Sequence, residues 1–276
     1  MRAYWFLALL CWLPAWGQAP DDQLPPLRWS LGGSLAPFQV QGDVRPAGPG
    51  LSLGLVVHRE VRPALDLRIN LRAGQALGQD LEPATNFLPN PALNHERDPD
   101  SLLHYREGDV VFHNYRLRFA NLMVVFQSNL NQLFRLQTRW DLFLSIGAGA
   151  LLSLTQVDAI DEAAGTVYDY HPLTDLGDPS ERREALTLLR DGTYETLAER
   201  DELGQTQIGD ASLEMSFQLG GGGRYRWSEH WSAGLSLTYL FSGSDLLDGQ
   251  QWKANGEASS DNDRLLLLSL CIMRNL

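Results

Sequence analysis

Hydrophobic and polar residues alternate strictly along much of this chain, most clearly between Leu65 and Ala73. Side chains along a β-strand point to opposite faces with a period of two. One face of this stretch is therefore apolar and the other carries charged and amide groups. Such a strand fits a soluble sandwich, with its apolar face on a core, or a transmembrane barrel, with its apolar face in lipid. The number of similar strands and the lengths of their connections distinguish the two.

The same two-residue period predicts eight strands. We expect them near residues 27–35, 51–58, 65–73, 113–126, 140–154, 211–226, 231–241 and 265–276. Residues 122–126 of the fourth strand are apolar on both faces, which predicts a bulge or a shift in register there. The even count agrees with bacterial outer-membrane barrels.

Connection lengths favour the barrel. The connections after strands two, four and six are short, whereas those after strands one, three, five and seven are longer, with 75–112 and 155–210 the longest. Outer-membrane barrels combine short periplasmic turns with long extracellular loops in this way. Four tryptophans map to the short-turn end, where an interfacial aromatic girdle belongs: Trp29, Trp140, Trp227 and Trp231. We predict an all-β, eight-stranded antiparallel transmembrane barrel; the alternative is a secreted soluble β-domain.

The first residues read as an export signal. Arg2 begins a short basic region, an apolar stretch follows to Trp16, and Gly17 and Ala19 are small residues suited to a cleavage site. We therefore predict a signal peptide over 1–19, a barrel domain over 20–276 and a location in the outer membrane. Cys271 is the only cysteine of the predicted mature chain, so no disulfide framework is expected.

The formal net charge of −12 is unevenly distributed. Residues 158–210 contain 14 acidic side chains against four arginines, which excludes nucleic acid as a partner because its phosphates would be repelled. Carboxylates of this loop, or the Asp261-Asn262-Asp263 segment, could hold calcium, but neither has the spacing of an EF-hand. Solvated acidic loops are the preferred interpretation, and no metal or cofactor is predicted.

The polar faces of the strands predict a charged barrel interior. Eight strands enclose a space only wide enough for side chains to fill, and charges buried there must be paired. We predict a polar plug, in which carboxylates compensate arginines, and no conduit for solutes. Its predicted members are Arg28, Asp66, Arg68, Arg72, Arg116, Arg118, Asp141, Glu214 and Arg224.

Several glycine-rich and turn motifs resemble a known family. They read GGS at 32–34, GDV at 42–44, GGGRYRWSEHWS at 221–232 and SDLLDG at 244–249. In these motifs the chain resembles the small outer-membrane barrels of Bacteroidota, which include proteins of the DUF6089 type and the PorG barrel of the type IX secretion system, and it is similar to the barrel half of OmpA-like proteins. The resemblance implies an outer-membrane barrel and, more remotely, a role in secretion.

The sequence has no catalytic signature. It lacks a Gly-x-Ser-x-Gly elbow, a P-loop and a His-Glu-x-x-His motif, although His95-Glu96 and Asp169-Tyr170-His171 could supply parts of a site. We predict a non-enzymatic structural or interaction component that contacts outer-membrane lipid and envelope or secretion-complex proteins, with its function in the two longest loops. The alternatives are a narrow pore and, less favoured, a lipid-modifying enzyme.

Overall fold

The computed structural model describes residues 29–62, 64–85, 87, 90, 93, 104–134, 140–198, 206–250 and 262–276. The predicted signal peptide, Arg28, the His95-Glu96 pair and Asp261 lie outside the described residues. No described helix is long and apolar enough to cross a membrane.

Eight long strands form one closed antiparallel barrel, as the alternation predicted. Each strand pairs with its neighbours in sequence, β1 pairs with β8, and the β5–β6 pairing completes the circle. The strands are β1 (Trp29–Gln41), β2 (Gly50–Arg62), β3 (Leu65–Gln79), β4 (Asn114–Asn129), β5 (Trp140–Val157), β6 (Ala211–Arg226), β7 (Trp231–Ser242) and β8 (Arg264–Asn275).

The strands are staggered around the barrel. Following paired residues once around, from Asp141 through the seven other strands, returns to β5 at Leu151, ten residues further along. Such a stagger accompanies strand tilts of about 35–45° in closed barrels. The predicted irregularity at 122–126 was wrong, because β3 and β4 pair residue for residue throughout. The register shifts instead in β2, between Glu60 and Arg62.

The outer surface is an apolar belt. Large aliphatic and aromatic side chains point outward from every barrel strand, and Leu53 and Leu55 are 65% and 61% exposed. A contiguous apolar surface of this extent marks contact with lipid. The four tryptophans at the short-turn end are also exposed, which confirms their predicted outward placement. The fold is therefore a transmembrane barrel.

The connections differ sharply between the two ends. At the short-turn end, two residues join β2 to β3, four join β6 to β7, and helix α1 (Leu130–Leu133) follows β4. The long-loop end carries the connections 42–49, 80–113, 158–210 and 243–263. The third of these contains a hairpin (Ile160–Asp161 with Thr166–Val167), a 3-10 turn (His171–Leu173), helix α2 (Pro179–Leu189) and strands Thr196–Leu197 and Thr206–Ile208, which extend the β5 and β6 edges.

Candidate functional site: the barrel interior and the loop cap

The lower interior, the half nearest the short-turn end, contains a buried ion-pair network. The structure brings together three of the predicted residues: Arg224 Nη2 lies 3.3 Å from Asp141 Oδ2 and 3.6 Å from Asp66 Oδ2. All three side chains are at least nine-tenths buried. One guanidinium thus lies between two carboxylates, which is the compensation that a charge in this environment requires.

Three further members of the network were not predicted. His58 Nε2 lies 3.0 Å from Asp66 Oδ2, and Arg226 Nη2 lies 2.8 Å from Asp141 Oδ2 and 3.9 Å from Glu60 Oε1 at the rim. The signal for two of them was present, because His58 and Arg226 fall on the polar faces of β2 and β6 by the two-residue period.

Arg68 and Arg72 also point into the lower interior, as predicted, but their hydrogen-bond partners are neutral. Arg68 Nε donates to Asn70 Oδ1 at 2.5 Å, and Arg72 Nη2 donates to Ser269 Oγ at 3.1 Å. Both side chains are buried. Hydrogen bonds to amide and hydroxyl oxygens stabilise these two guanidinium groups within the described residues.

The prediction that Arg116 and Arg118 line the barrel interior was wrong. They point away from the barrel interior, whereas Tyr115, Leu117 and Phe119 point into it and are buried. The sequence interpretation assigned the apolar face of this strand to lipid, but β4 projects above the belt, so its upper apolar face meets a core. Glu214 lies at the long-loop end, where its Oε2 accepts a hydrogen bond from Ser242 Oγ at 2.9 Å.

The upper interior contains a large apolar cluster, which corrects the expectation of a polar plug along the whole barrel. Phe38 and Phe119 meet edge to face with ring centroids 5.1 Å apart. Around them lies one buried cluster of side chains from the barrel strands and from the connections above them. Its other members are Val40, Val44, Ala76, Tyr115, Leu117, Met123, Val125, Leu151, Leu240, Leu247, Leu265 and Leu267.

Two buried aspartates hold the connection after β7 over this apolar core. Asp263 Oδ2 accepts from the backbone N–H groups of Leu247 and Asp248 at 2.7 and 3.2 Å, and Asp248 Oδ2 accepts from Val44 N–H at 2.7 Å. Both carboxylates approach Gly42 so closely that a Cβ there would lie within 2.4 Å of each. Burial, with Asp248 adding repulsion, raises the pKa of Asp263 to about 9. The pair therefore retains a proton at neutral pH, and Asp263 is not part of a solvated loop.

The long loops fold into a cap with its own hydrophobic core, so the expectation of solvated acidic loops was incomplete. Residues from 80–113 and from 158–210 pack together in one cluster, in which Tyr105 and Tyr170 stack at 6.1 Å. Helix α2 begins at the N-cap Asp178, whose Oδ1 accepts from Ser180 N–H, and it buries Leu186 completely. The buried cluster comprises Phe87, Leu93, Tyr105, Val111, Phe112, Val157, Ala159, Tyr168, Tyr170 and Leu186.

Arginines join the two loops of the cap. Arg190 donates to Tyr170 Oη at 2.9 Å and to the Phe112 carbonyl at 2.5 Å, and Arg182 donates to the Leu81 carbonyl at 2.6 Å. Beside them, burial and the charge of Arg190 lower the pKa of His113 to about 4. His113 is therefore neutral at physiological pH.

The histidines that the structure describes do not gather at one site. His58 and His113 are buried in different regions, and His171 and His230 are exposed on the cap and on a short turn. No group of three or more His, Cys, Asp or Glu side chains suited to a metal ion occurs among the described residues.

Comparisons with known proteins found similar solved structures only at low sequence identity. No family model matches the chain, and no curated protein does. Similar solved structures include Neisserial surface protein A, with 10% identity, 90% of this chain and 97% of that chain covered, and a TM-score of 0.39. Ail of Yersinia pestis, in complex with sucrose octasulfate, has 10% identity, 91% and 99% coverage and a TM-score of 0.39. The CymD monoaromatic hydrocarbon channel has 9% identity, 90% and 88% coverage and a TM-score of 0.23.

At these identities and TM-scores the likenesses assign no activity, and the barrel assignment rests on the strand pairing. The resemblance to the Bacteroidota barrels stays a prediction.

Proposed function

We propose that this protein is a closed, non-enzymatic barrel of the bacterial outer membrane that anchors a folded cap for interaction with another protein. The observation that carries the proposal is the contrast between the two cores. The barrel interior contains an ion-pair network below an apolar cluster, whereas the cap has a separate core with helix α2 on its surface. A rigid barrel that carries folded loops is a common way to present a binding surface.

The exposed face of α2 supports an interaction role. Leu188 is 81% exposed, and it borders an open concavity that is also lined by Arg183, Glu184 and Thr187. The surrounding segment is strongly acidic. We therefore infer a protein partner with a basic surface and an apolar contact at its centre.

The test is affinity isolation of the full-length protein from native membranes, compared with a variant that lacks residues 159–207. We expect the deletion to retain insertion and heat-modifiable migration on a gel, because the barrel core lies outside the deleted segment. Partner capture should be lost. Fractionation into soluble periplasm or medium would contradict the outer-membrane location.

A finer hypothesis is that the partner belongs to an envelope or secretion complex similar to type IX secretion. Its support is the sequence resemblance. If the deletion leaves partner capture unchanged while substitutions in the 59–63 turn abolish it, the partner binds at the short-turn end. This hypothesis then gains support.

A narrow pore is the alternative that the sequence left open. The stacked apolar and ion-paired layers favour a closed interior, so reconstituted protein should show no steady conductance. A matched variant has Phe38, Leu117 and Phe119 all changed to Ala. If the apolar layer closes the interior, this variant should conduct. Steady channels in the unmodified protein would favour the pore.

A further inference from the structure

Two outward arginines lie directly above the lipid-facing stripe of β4. From the short-turn end upward, the outward residues of this strand are Phe126, Val124, Leu122 and Ala120, followed by Arg118 and Arg116. The first three are about half exposed and belong to the apolar belt. The change from apolar to cationic occurs between two successive outward positions.

The height of this change matches the edge of a membrane. Ten residues separate Phe126 from Arg116, which is roughly 25 Å along the barrel axis at about 3.3 Å per residue and a tilt of about 40°. The apolar band of such barrels is about 25 Å tall. Arg118 and Arg116 therefore lie at the level of lipid headgroups, on the side of the long loops.

The surroundings of the two side chains orient them without neutralising them. Arg116 Nη2 donates to Gln156 Oε1 at 2.8 Å, and its guanidinium lies 4.8 Å from the ring centroid of Tyr194. Arg118 Nε lies 3.4 Å from Gln75 Oε1, and its side chain is exposed. Within the part of the chain that the structure describes, neither arginine forms a salt bridge.

The repulsion between these arginines favours an external anion. Residues two apart on one strand face have Cα atoms about 7 Å apart, so two guanidinium groups can approach the same phosphate. Arginine donors match phosphate oxygens in pairs of hydrogen bonds. Glu195 lies nearby, but among the described residues it forms no salt bridge with either arginine, and its Oε1 accepts from the backbone N–H groups of Ala159 and Ile160.

We propose that Arg116 and Arg118 form a binding site for the phosphate of a lipid headgroup in the leaflet on the long-loop side. The location of this leaflet rests on the outer-membrane function proposed above. The occupant is an anionic lipid because the site adjoins the acyl-chain belt, where the tails of the same molecule would lie along Leu122 and Val124.

The test uses protein in neutral detergent and lipid A that carries two phosphates as the probe. We expect R116Q/R118Q to weaken binding at least about tenfold, the equivalent of one lost hydrogen bond to a charged group. R116K/R118K keeps the charge and loses the paired donors, so its affinity for lipid A should lie between those of the unmodified protein and R116Q/R118Q. The matched control is R45Q, because Arg45 is an exposed arginine at the same end that already pairs with Glu82 at 3.2 Å; its binding should be unchanged.

Lipid A stripped of phosphate should bind the unmodified protein as weakly as the phosphorylated probe binds R116Q/R118Q. The proposal would be overturned if R116Q/R118Q bound phosphorylated lipid A as tightly as the unmodified protein does. It would also be overturned if inorganic phosphate, at the same concentration as lipid A, displaced lipid A completely. Heat-modifiable migration checks that each variant is folded. Since detergent removes any dependence on location, failure here is distinguishable from failure of the outer-membrane assignment, which fractionation tests.

Discussion

The lower and upper halves of the barrel interior are closed by opposite chemistry. In the lower half, Arg224 bridges Asp66 and Asp141 among buried polar groups. In the upper half, Phe38 and Phe119 pack within an aliphatic cluster. The wall is the same continuous sheet in both halves. Strand geometry therefore sets the diameter of the interior and leaves its chemistry to the inward residues.

The two halves should respond differently to substitution. Removing one partner of a buried ion pair leaves the other charge without compensation, whereas truncating an apolar side chain loses transfer free energy and leaves a cavity. The first effect depends on charge and the second on volume. The five predictions below run from the largest expected effect to the smallest, and the first two test this difference directly.

Asp141→Leu should have the largest effect. It removes the carboxylate that accepts from Arg224 and Arg226 and leaves the buried Arg224 with Asp66 as its carboxylate partner. We expect a loss of about 3–5 kcal/mol in the free energy of unfolding, measured by urea unfolding in detergent. A loss below about 1 kcal/mol would show that water compensates the lower network.

Leu240→Ala should cost somewhat less. Leu240 is completely buried in the upper cluster, and Leu→Ala changes in packed cores cost about 2–5 kcal/mol. The same urea titration measures it. Leu235→Ala on the same strand is the control, because Leu235 faces outward and is 52% exposed. Similar losses for both variants in lipid-free detergent would contradict a packed upper core.

Asp263→Asn should change the pH dependence of stability. The folded state keeps a proton on Asp263 up to a pKa of about 9, whereas the unfolded chain releases it near pH 4. The free energy of unfolding therefore falls as pH rises between these values. Asparagine can accept the same backbone hydrogen bonds without ionising, so this fall should shrink, by about 1.4 kcal/mol for each pH unit over which only the folded chain holds the proton.

Melting curves at pH 5 and pH 8.5 measure this change, and an unaltered slope would contradict the shared proton. His113 should change stability with pH in the opposite direction, because its pKa of about 4 in the folded state lies below the unfolded value of about 6.5. The stability it contributes is present above pH 6.5 and is lost as pH falls toward 4. His113→Gln should therefore flatten the acid side of the same curve.

Glu82→Gln should have the smallest effect. The Arg45–Glu82 pair is more than 70% exposed on both sides, and solvent screening reduces such pairs to about 0–1 kcal/mol. Urea unfolding at low and high salt measures the contribution. A loss comparable to that of Asp141→Leu would mean that burial does not distinguish the two kinds of ion pair.

Much of the barrel was predictable because its strands follow one local rule, the alternation of inward and outward side chains. All eight strands were predicted within a few residues of their observed ends, except that β1 continues to Gln41 and β3 to Gln79. Apart from Glu60, which fell in the predicted turn after the second strand, the members of the ion-pair network lie on predicted strands. The partners within that network were not predictable, since Arg224, Asp66 and His58 come from three strands whose relative heights depend on the stagger of the whole barrel.

The sequence by itself determined the number of strands, the faces of most of them and the unequal ends, because side-chain alternation and connection length are local properties. Tertiary structure alone decided where the membrane belt ends. That boundary places the apolar face of upper β4 in a core and turns Arg116 and Arg118 outward. The tertiary structure also brings together the two long loops, 80–113 and 158–210, which are separated by the length of β4 and β5. No local pattern in either loop could specify the core that they share.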